Sequence, residues 1–183
     1  MAAEETTGRV ASAAHDTVRV VCRSTATPGD LEQHFAIRYR VFVEEQGIFT
    51  QSDRDETDAL EDTIHVVGYA NEIPAGVVRL FPLDPAEGLW QGDRLAVLDG
   101  HRTQGLGAPL VRYAVALAGS LGGKAMVAHV QVANVKFFTH LGWSPQGDVE
   151  LYIGRPHQQM LIDLPEPDAG AALLRTLEGE PRP

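Results

Sequence analysis

Leu95 to Leu121 reads LAVLDGHRTQGLGAPLVRYAVALAGSL, and the change of period within it decides the fold. Leu95-Ala96-Val97-Leu98 is an uninterrupted apolar run, as in a buried strand. Asp99-Gly100 is a turn signal. From Leu106 the apolar residues recur at three- and four-residue spacing: Leu106, Leu110, Tyr113, Ala114, Leu117, Ala118 and Leu121 share one face of a helix. The order is strand, glycine-bearing loop, helix. A helix start leaves four backbone N–H groups without intrahelical acceptors, and the helix dipole adds partial positive charge there. Glycines let an anion approach that backbone closely. Pro109 suits the first turn, where its missing N–H is not needed. Arg102 stands at the mouth of the loop as a charge-assisted partner. The stretch predicts a turn that holds a phosphate or pyrophosphate.

Two nucleotide motifs are excluded. The dinucleotide fingerprint G-x-G-x-x-G lacks its third glycine, because Leu110 stands there, and no Gly-Lys-Ser/Thr follows to make a P-loop. What remains is Arg102-x-x-Gly105-x-Gly107-Ala108 behind an apolar strand. This pattern resembles the pyrophosphate-binding motif of the GNAT N-acetyltransferase superfamily, which grips acetyl-CoA. Three further segments resemble the bacterial, ElaA-like branch: Arg38 to Gln46 (RYRVFVEEQ), Asn134 to Trp143 (NVKFFTHLGW) and Pro156 to Met160 (PHQQM). They occur in the family's order.

Composition is compatible with that reading. The 183 residues suit one domain with a sizeable core. A net charge of −10, from 15 basic and 25 acidic residues, argues against a general nucleic-acid binder. It favours cationic partners or, more simply, solubility. Cys22 is the single cysteine and reads as a small buried strand residue. The first ten residues lack the apolar core of a signal peptide, and no apolar run nears the ~20 residues of a membrane span. The expected location is the cytoplasm.

Along the chain, residues 1–15 read as a leader, 16–165 as the domain and 166–183 as a tail with a turn of helix over Ala171 to Leu177. Thr17 to Arg23 reads as a strand. Asp30 with Gln33 reads as a capping box opening a helix that runs to Gly47. Asp53, Asp55, Glu56, Asp58, Glu61 and Asp62 form an acidic segment without the Gly and Glu of an EF-hand. It reads as a solvated loop, with a gate for a cationic substrate as the alternative. Strands follow over Thr63 to Ala70 and Ala75 to Leu83, joined by Asn71 to Pro74 and ended by Pro82 and Pro85. After the central motif come a strand (Ala125 to Val132), a short helix (Asn134 to Leu141) and a hairpin around Gly154-Arg155-Pro156. Helical crossovers imply parallel neighbours and hairpins antiparallel ones. The fold class is therefore α/β (α+β): a mixed, mostly antiparallel sheet flanked by helices, in which the resemblance implies a splayed parallel pair.

The resemblance implies an N-acetyltransferase with acetyl-CoA as co-substrate, a small-molecule amine as acceptor and no metal; homodimers are common in the family. It places Leu95, Ala96 and Val97 along the pantetheine arm, Arg102, Thr103, Gln104, Gly105, Leu106, Gly107 and Ala108 on the pyrophosphate, and Asn134 and Phe137 beside the arm. Asn134 also has the position of a helix N-cap. Asp93 and Gln91 fall where many members carry the base that deprotonates the amine; as a strand-edge carboxylate, Asp93 has an alternative use in pairing with Arg79 or Arg94. Glu44 and Glu45 lie in a region that commonly lines the acceptor pocket, or on a solvated helix face. His65 and His129 lie on predicted strands as candidate proton-transfer groups, although a lone strand histidine is more often a satisfied core residue. One departure stands out: the tyrosine that many members use as general acid is Phe138 here. Water, Tyr113, Tyr152 or His140 would have to replace it, or the thiolate leaves unaided. The acceptor and the acyl length are not written in the sequence. A non-catalytic acyl-CoA sensor and an acyl-homoserine-lactone-type synthase are the alternatives.

Overall fold

Strands of alternating or continuous apolar character fold into one sheet, and the glycine-bearing loop determines where that sheet opens. The computed structural model describes residues 18–179; the leader at 1–15, Thr17 and the end of the tail lie outside them. The strands are β1 (Val20–Ser24), β2 (Ile64–Ala70), β3 (Ile73–Asp84), β4 (Leu89–Val97), β5 (Ala125–Gln131), β6 (Ser144–Tyr152) and β7 (Arg155–Asp163). They form one sheet in the order β1-β2-β3-β4-β5-β7-β6. The helices are α1 (Pro28–Arg38), α2 (Gly107–Ser120), α3 (Val135–His140) and α4 (Pro167–Leu177). The expected mixed sheet is present: β4 and β5, joined through α2, are its parallel pair, and the other neighbours are antiparallel.

That pair stays together for three residues only, Leu89–Gln91 against Ala125–Val127, and then parts. The parting coincides with a bulge in β4. Arg79 faces Asp93 and Val77 faces Ala96, so β4 carries one residue more than β3 between these rungs. Arg94 lies at this bulge with φ of 51°, in the left-handed region a side-chain-bearing residue rarely adopts. The bulge breaks the alternation expected between Asp93 and Leu95 and re-aims the side chains on either side of it.

Two glycines, Gly68 and Gly76, seat α2 on the sheet. A Cβ on Gly76 would lie 2.8 Å from Leu110 Cδ1 and 2.9 Å from Leu106 Cδ2, so only glycine lets the first turn of α2 come down this far. Leu106, Leu110, Tyr113 and Ala114 pack there with Met126 and Met160. The opposite face of the sheet holds a smaller core, in which Ile37, Val41 and Phe42 meet Val67, Val77 and Ala96.

Several local expectations are corrected. Thr27, not Asp30, caps α1; Asp30 is the reciprocating third residue of the capping box, returning a carboxylate to the Thr27 N–H at 2.9 Å. Beyond Arg38 the helix widens into a π-helical stretch, Tyr39–Glu45, so the face predicted from 3.6 spacing does not continue. The β2–β3 turn is only Asn71-Glu72, both left-handed, and the β6–β7 turn only Ile153-Gly154. Pro82 does not end β3. The β2 ladder stops at Ile64–Leu80, and past that point a missing N–H removes no hydrogen bond on that side. The tail beyond residue 166 forms α4, which packs on α2. This contact explains why α2 is buried on more than its predicted face, with Ala116 and Gly119 covered as well.

Candidate active site

Where β4 and β5 separate, β4 keeps its bonds to β3 and loses its partner on the other edge. Leu98 donates to Ala75 O at 2.9 Å. Alternation along the strand turns the Ala96 backbone the same way and directs the amides and carbonyls of Leu95 and Val97 into the gap. An extended ligand lying there would find backbone partners already in place. The gap opens into a cleft of about 140 Å³, close to the ~150 Å³ of a cavity that takes up benzene. Gln91 to Leu95 form one wall and Ala128 to Gln131 the other. Phe42, Ile48 and Phe49 close it from the π-helical side, and Phe138 and Trp143 from the α3 side.

At the mouth, a turn of 3₁₀-helix (Asp99–Gln104) leads through Gly105, at φ of 75°, to Leu106, the N-cap of α2. No side chain caps this end of α2, so its first-turn amides stay available to an anion. A Cβ on Gly107 would reach 3.4 Å from the Phe137 ring, and Gly105 faces open space. The residues fit a pyrophosphate laid on the backbone. Arg102 behaves differently from the expectation. Its guanidinium folds back to Val97 O (3.1 Å), Asp99 (2.7 Å) and Glu45, which ties the loop to the end of β4 and to the π-helical segment. Asn134 precedes α3 without making a capping bond and lines the cleft.

The acidic segment is only in part a solvated loop: Glu56, Glu61 and Asp62 face solvent, while its other three acids pair with arginines. Asp53 is buried, and it meets Arg38 Nε at 2.6 Å. Asp58 takes Arg38 Nη1 at 2.6 Å, Arg79 Nη1 at 2.8 Å and His65 Nε2 at 3.1 Å. Asp55 bridges Arg79 and Arg94. Burial alone would raise the Asp58 carboxyl, but bonds from His65 and Arg38 outweigh it and hold the group far below the usual carboxylate range. Three arginines thus neutralise Asp53, Asp55 and Asp58, and the remaining acids Glu56, Glu61 and Asp62 lie at the surface.

Asp93 belongs to the same network. Arg79 grips both its oxygens, at 2.8 and 2.7 Å, and Arg94 stands 3.6 Å away. It lines the cleft beside Gln91, but each of its oxygens already accepts a bond from Arg79. Glu44 lies elsewhere, in a shallow depression with Glu32, Phe35 and Arg54. Of the substitutes for the missing tyrosine, Tyr113 is buried in α2 with its hydroxyl bonded to Glu178 (2.8 Å) and Ser24, and burial pushes it up to about 12. The His140 Nδ1 meets Lys136 O on exposed α3. Only Tyr152 reaches the cleft. Its ring stacks on His129, with centroids 4.7 Å apart and planes 10° off parallel, and meets His157 edge-on.

A model of the acetyltransferase (GNAT) family matches residues 30–143. The chain belongs to this family. N-acetyltransferase YjcF of Bacillus subtilis is 30% identical over 134 residues, covering 73% of this chain and 92% of that protein. Among solved structures, an N-acetyltransferase from Lactobacillus plantarum superposes with a TM-score of 0.70 at 23% identity, covering 81% of this chain and 99% of that one. ElaA of Escherichia coli gives 0.68 at 21%, covering 79% and 98%. The family transfers acyl groups from acyl-CoA.

Proposed function

We propose that the protein is an acetyl-CoA-dependent N-acetyltransferase acting on a small amine. The observation that supports this most directly is the continuity of one path. It runs from the uncapped amides of Gly105 to Ala108, along the exposed backbone edge of Leu95 and Val97, into a cleft walled largely by aromatic and aliphatic side chains. On this reading the amides hold the pyrophosphate, with Thr103 and Gln104 at the rim and Arg102 fixing the loop. Leu95 to Val97 bind the arm on one side, with Asn134 and Phe137 on the other. The thioester then lies where β4 and β5 separate, beside Gln91 and Asp93.

Direct attack requires a neutral amine and a carbonyl held against oriented donors. The cleft is apolar and its neighbouring aspartates are paired, so an amine carried on an apolar body fits it better than a polycation.

The test is release of free thiol from acetyl-CoA with benzylamine, phenethylamine, amino acids, spermidine, an aminoglycoside and S-adenosylmethionine. Acceptor-dependent release, fastest with the apolar amines, is expected. Tight CoA binding without release across the panel would instead make this an acyl-CoA sensor. Turnover with S-adenosylmethionine alone would make it an acyl-homoserine-lactone-type synthase.

A further inference from the structure

Phe138 has no proton to give and Asp93 is locked to Arg79, so the family's usual positions leave proton transfer unassigned in this chain. The cleft contains another group. The parallel register pairs Gln91 with Val127, and two residues further along each strand bring Asp93 and His129 to facing positions on the same side of the sheet. His129 therefore lies across the gap from the residue first expected to be the base. Its Nδ1 is buried without a hydrogen-bond partner, and Nε2 has none among the described residues. An unpartnered buried nitrogen on a ring that lines the cleft calls for a partner that the protein's own groups do not supply. The ring is not loose: Tyr152 stacks on it from β6, and His157 of β7 abuts Tyr152. The remaining walls at this height are Phe42 and Phe49, so Asp93, Arg94, Tyr152 and His157 are the titratable or charged side chains around it.

We propose that His129 is the catalytic proton carrier of the acyl transfer, with Tyr152 as its positioning residue. The assignment rests on the acetyltransferase reading above. The amine nitrogen attacks the thioester carbonyl carbon, forming the C–N bond. The proton leaving that nitrogen passes to a ring nitrogen of His129. As the C–S bond breaks, the imidazolium returns this proton to the sulfur, giving amide and free thiol with no net proton change. One imidazole acts as base and then as acid, so no tyrosine is needed at position 138.

The experiment uses acetyl-CoA with whichever panel amine turns over fastest. His129→Gln keeps a side chain of similar reach that cannot carry a proton. Its kcat should fall by about 100-fold or more while calorimetric CoA affinity and thermal midpoint stay as in the wild type. His129→Ala should regain rate on addition of free imidazole, which a purely structural role would not allow. His129→Gln with wild-type kcat/KM, or no imidazole rescue of an otherwise folded His129→Ala, overturns the assignment. A wild-type protein that binds CoA and transfers nothing overturns the acetyltransferase reading, and this assignment with it.

Discussion

At Gly107 one side chain separates folding from ligand binding. The residue opens α2 in ordinary helical conformation, and its missing Cβ faces only the edge of Phe137 at 3.4 Å. Gly107→Glu therefore places a carboxylate in a first helical turn, which helps the helix by about 0.3–1 kcal/mol while repelling a pyrophosphate from the same amides. The thermal midpoint should hold or rise, and calorimetric CoA affinity should fall by at least about 100-fold, some 3 kcal/mol. Unchanged affinity would mean that the pyrophosphate lies elsewhere. Arg102 provides a graded comparison. Its partners Asp99 and Glu45 are exposed or partly exposed, and such pairs are worth about 0–1 kcal/mol. Arg102→Ala should weaken CoA binding by less than about tenfold, through a looser loop. A loss as large as that of Gly107→Glu would return Arg102 to the anion itself.

At the level of elements, α4 shows packing overruling propensity. Gly170 lies inside this helix, where alanine would normally add about 1 kcal/mol. A Cβ there would stand 2.6 Å from Ala116 O and 2.7 Å from Ser120 N, both backbone atoms of α2. Gly170→Ala should therefore destabilise the protein by about 1–3 kcal/mol, as read from urea midpoints; a gain would show that α4 docks loosely. The sequence contained α2 and its loop because their periods and glycines are local signals. It hid the docking of α4, because a glycine in a helix reads as weakness until its neighbour is known. It hid the π-helical turn after Arg38 and the bulge at Arg94 for a related reason: both break the regular periods by which elements are read. His129 was visible only as a lone strand histidine, and its role emerged once β5 was set against β4.

Across the whole molecule, charge that reads as surface is internal. Arg38 lies on a helix 15 and 20 residues before Asp53 and Asp58, and no local pattern joins them, yet Arg38 is fully buried between the two carboxylates. Removing one partner leaves buried charge uncompensated, so Arg38→Met should cost about 3–5 kcal/mol, far beyond an exposed arginine. The same interior makes stability depend on pH. His34 is fully buried; burial first, then the nearby His65, push its imidazole down to about 3. The unfolded chain has the ordinary value near 6.5, so between these values it binds a proton that the folded protein refuses. The His34 contribution is complete above about pH 6.5 and is lost as pH falls, at up to about 1.4 kcal/mol per pH unit. Asp58 is depressed in the opposite chemical sense, and its contribution is lost only as pH falls below about 3.9. From pH 6.5 to 4.5, then, the Asp58 contribution stays constant while that of His34 declines. Urea midpoints of the wild type should drop across this range, and those of His34→Asn, which can still donate to Val66 O, should drop less. The gap between the two proteins should narrow as the solution is acidified. Parallel curves would mean that His34 is protonated in the fold, in conflict with a ring that has Val66 O on one nitrogen and no partner on the other.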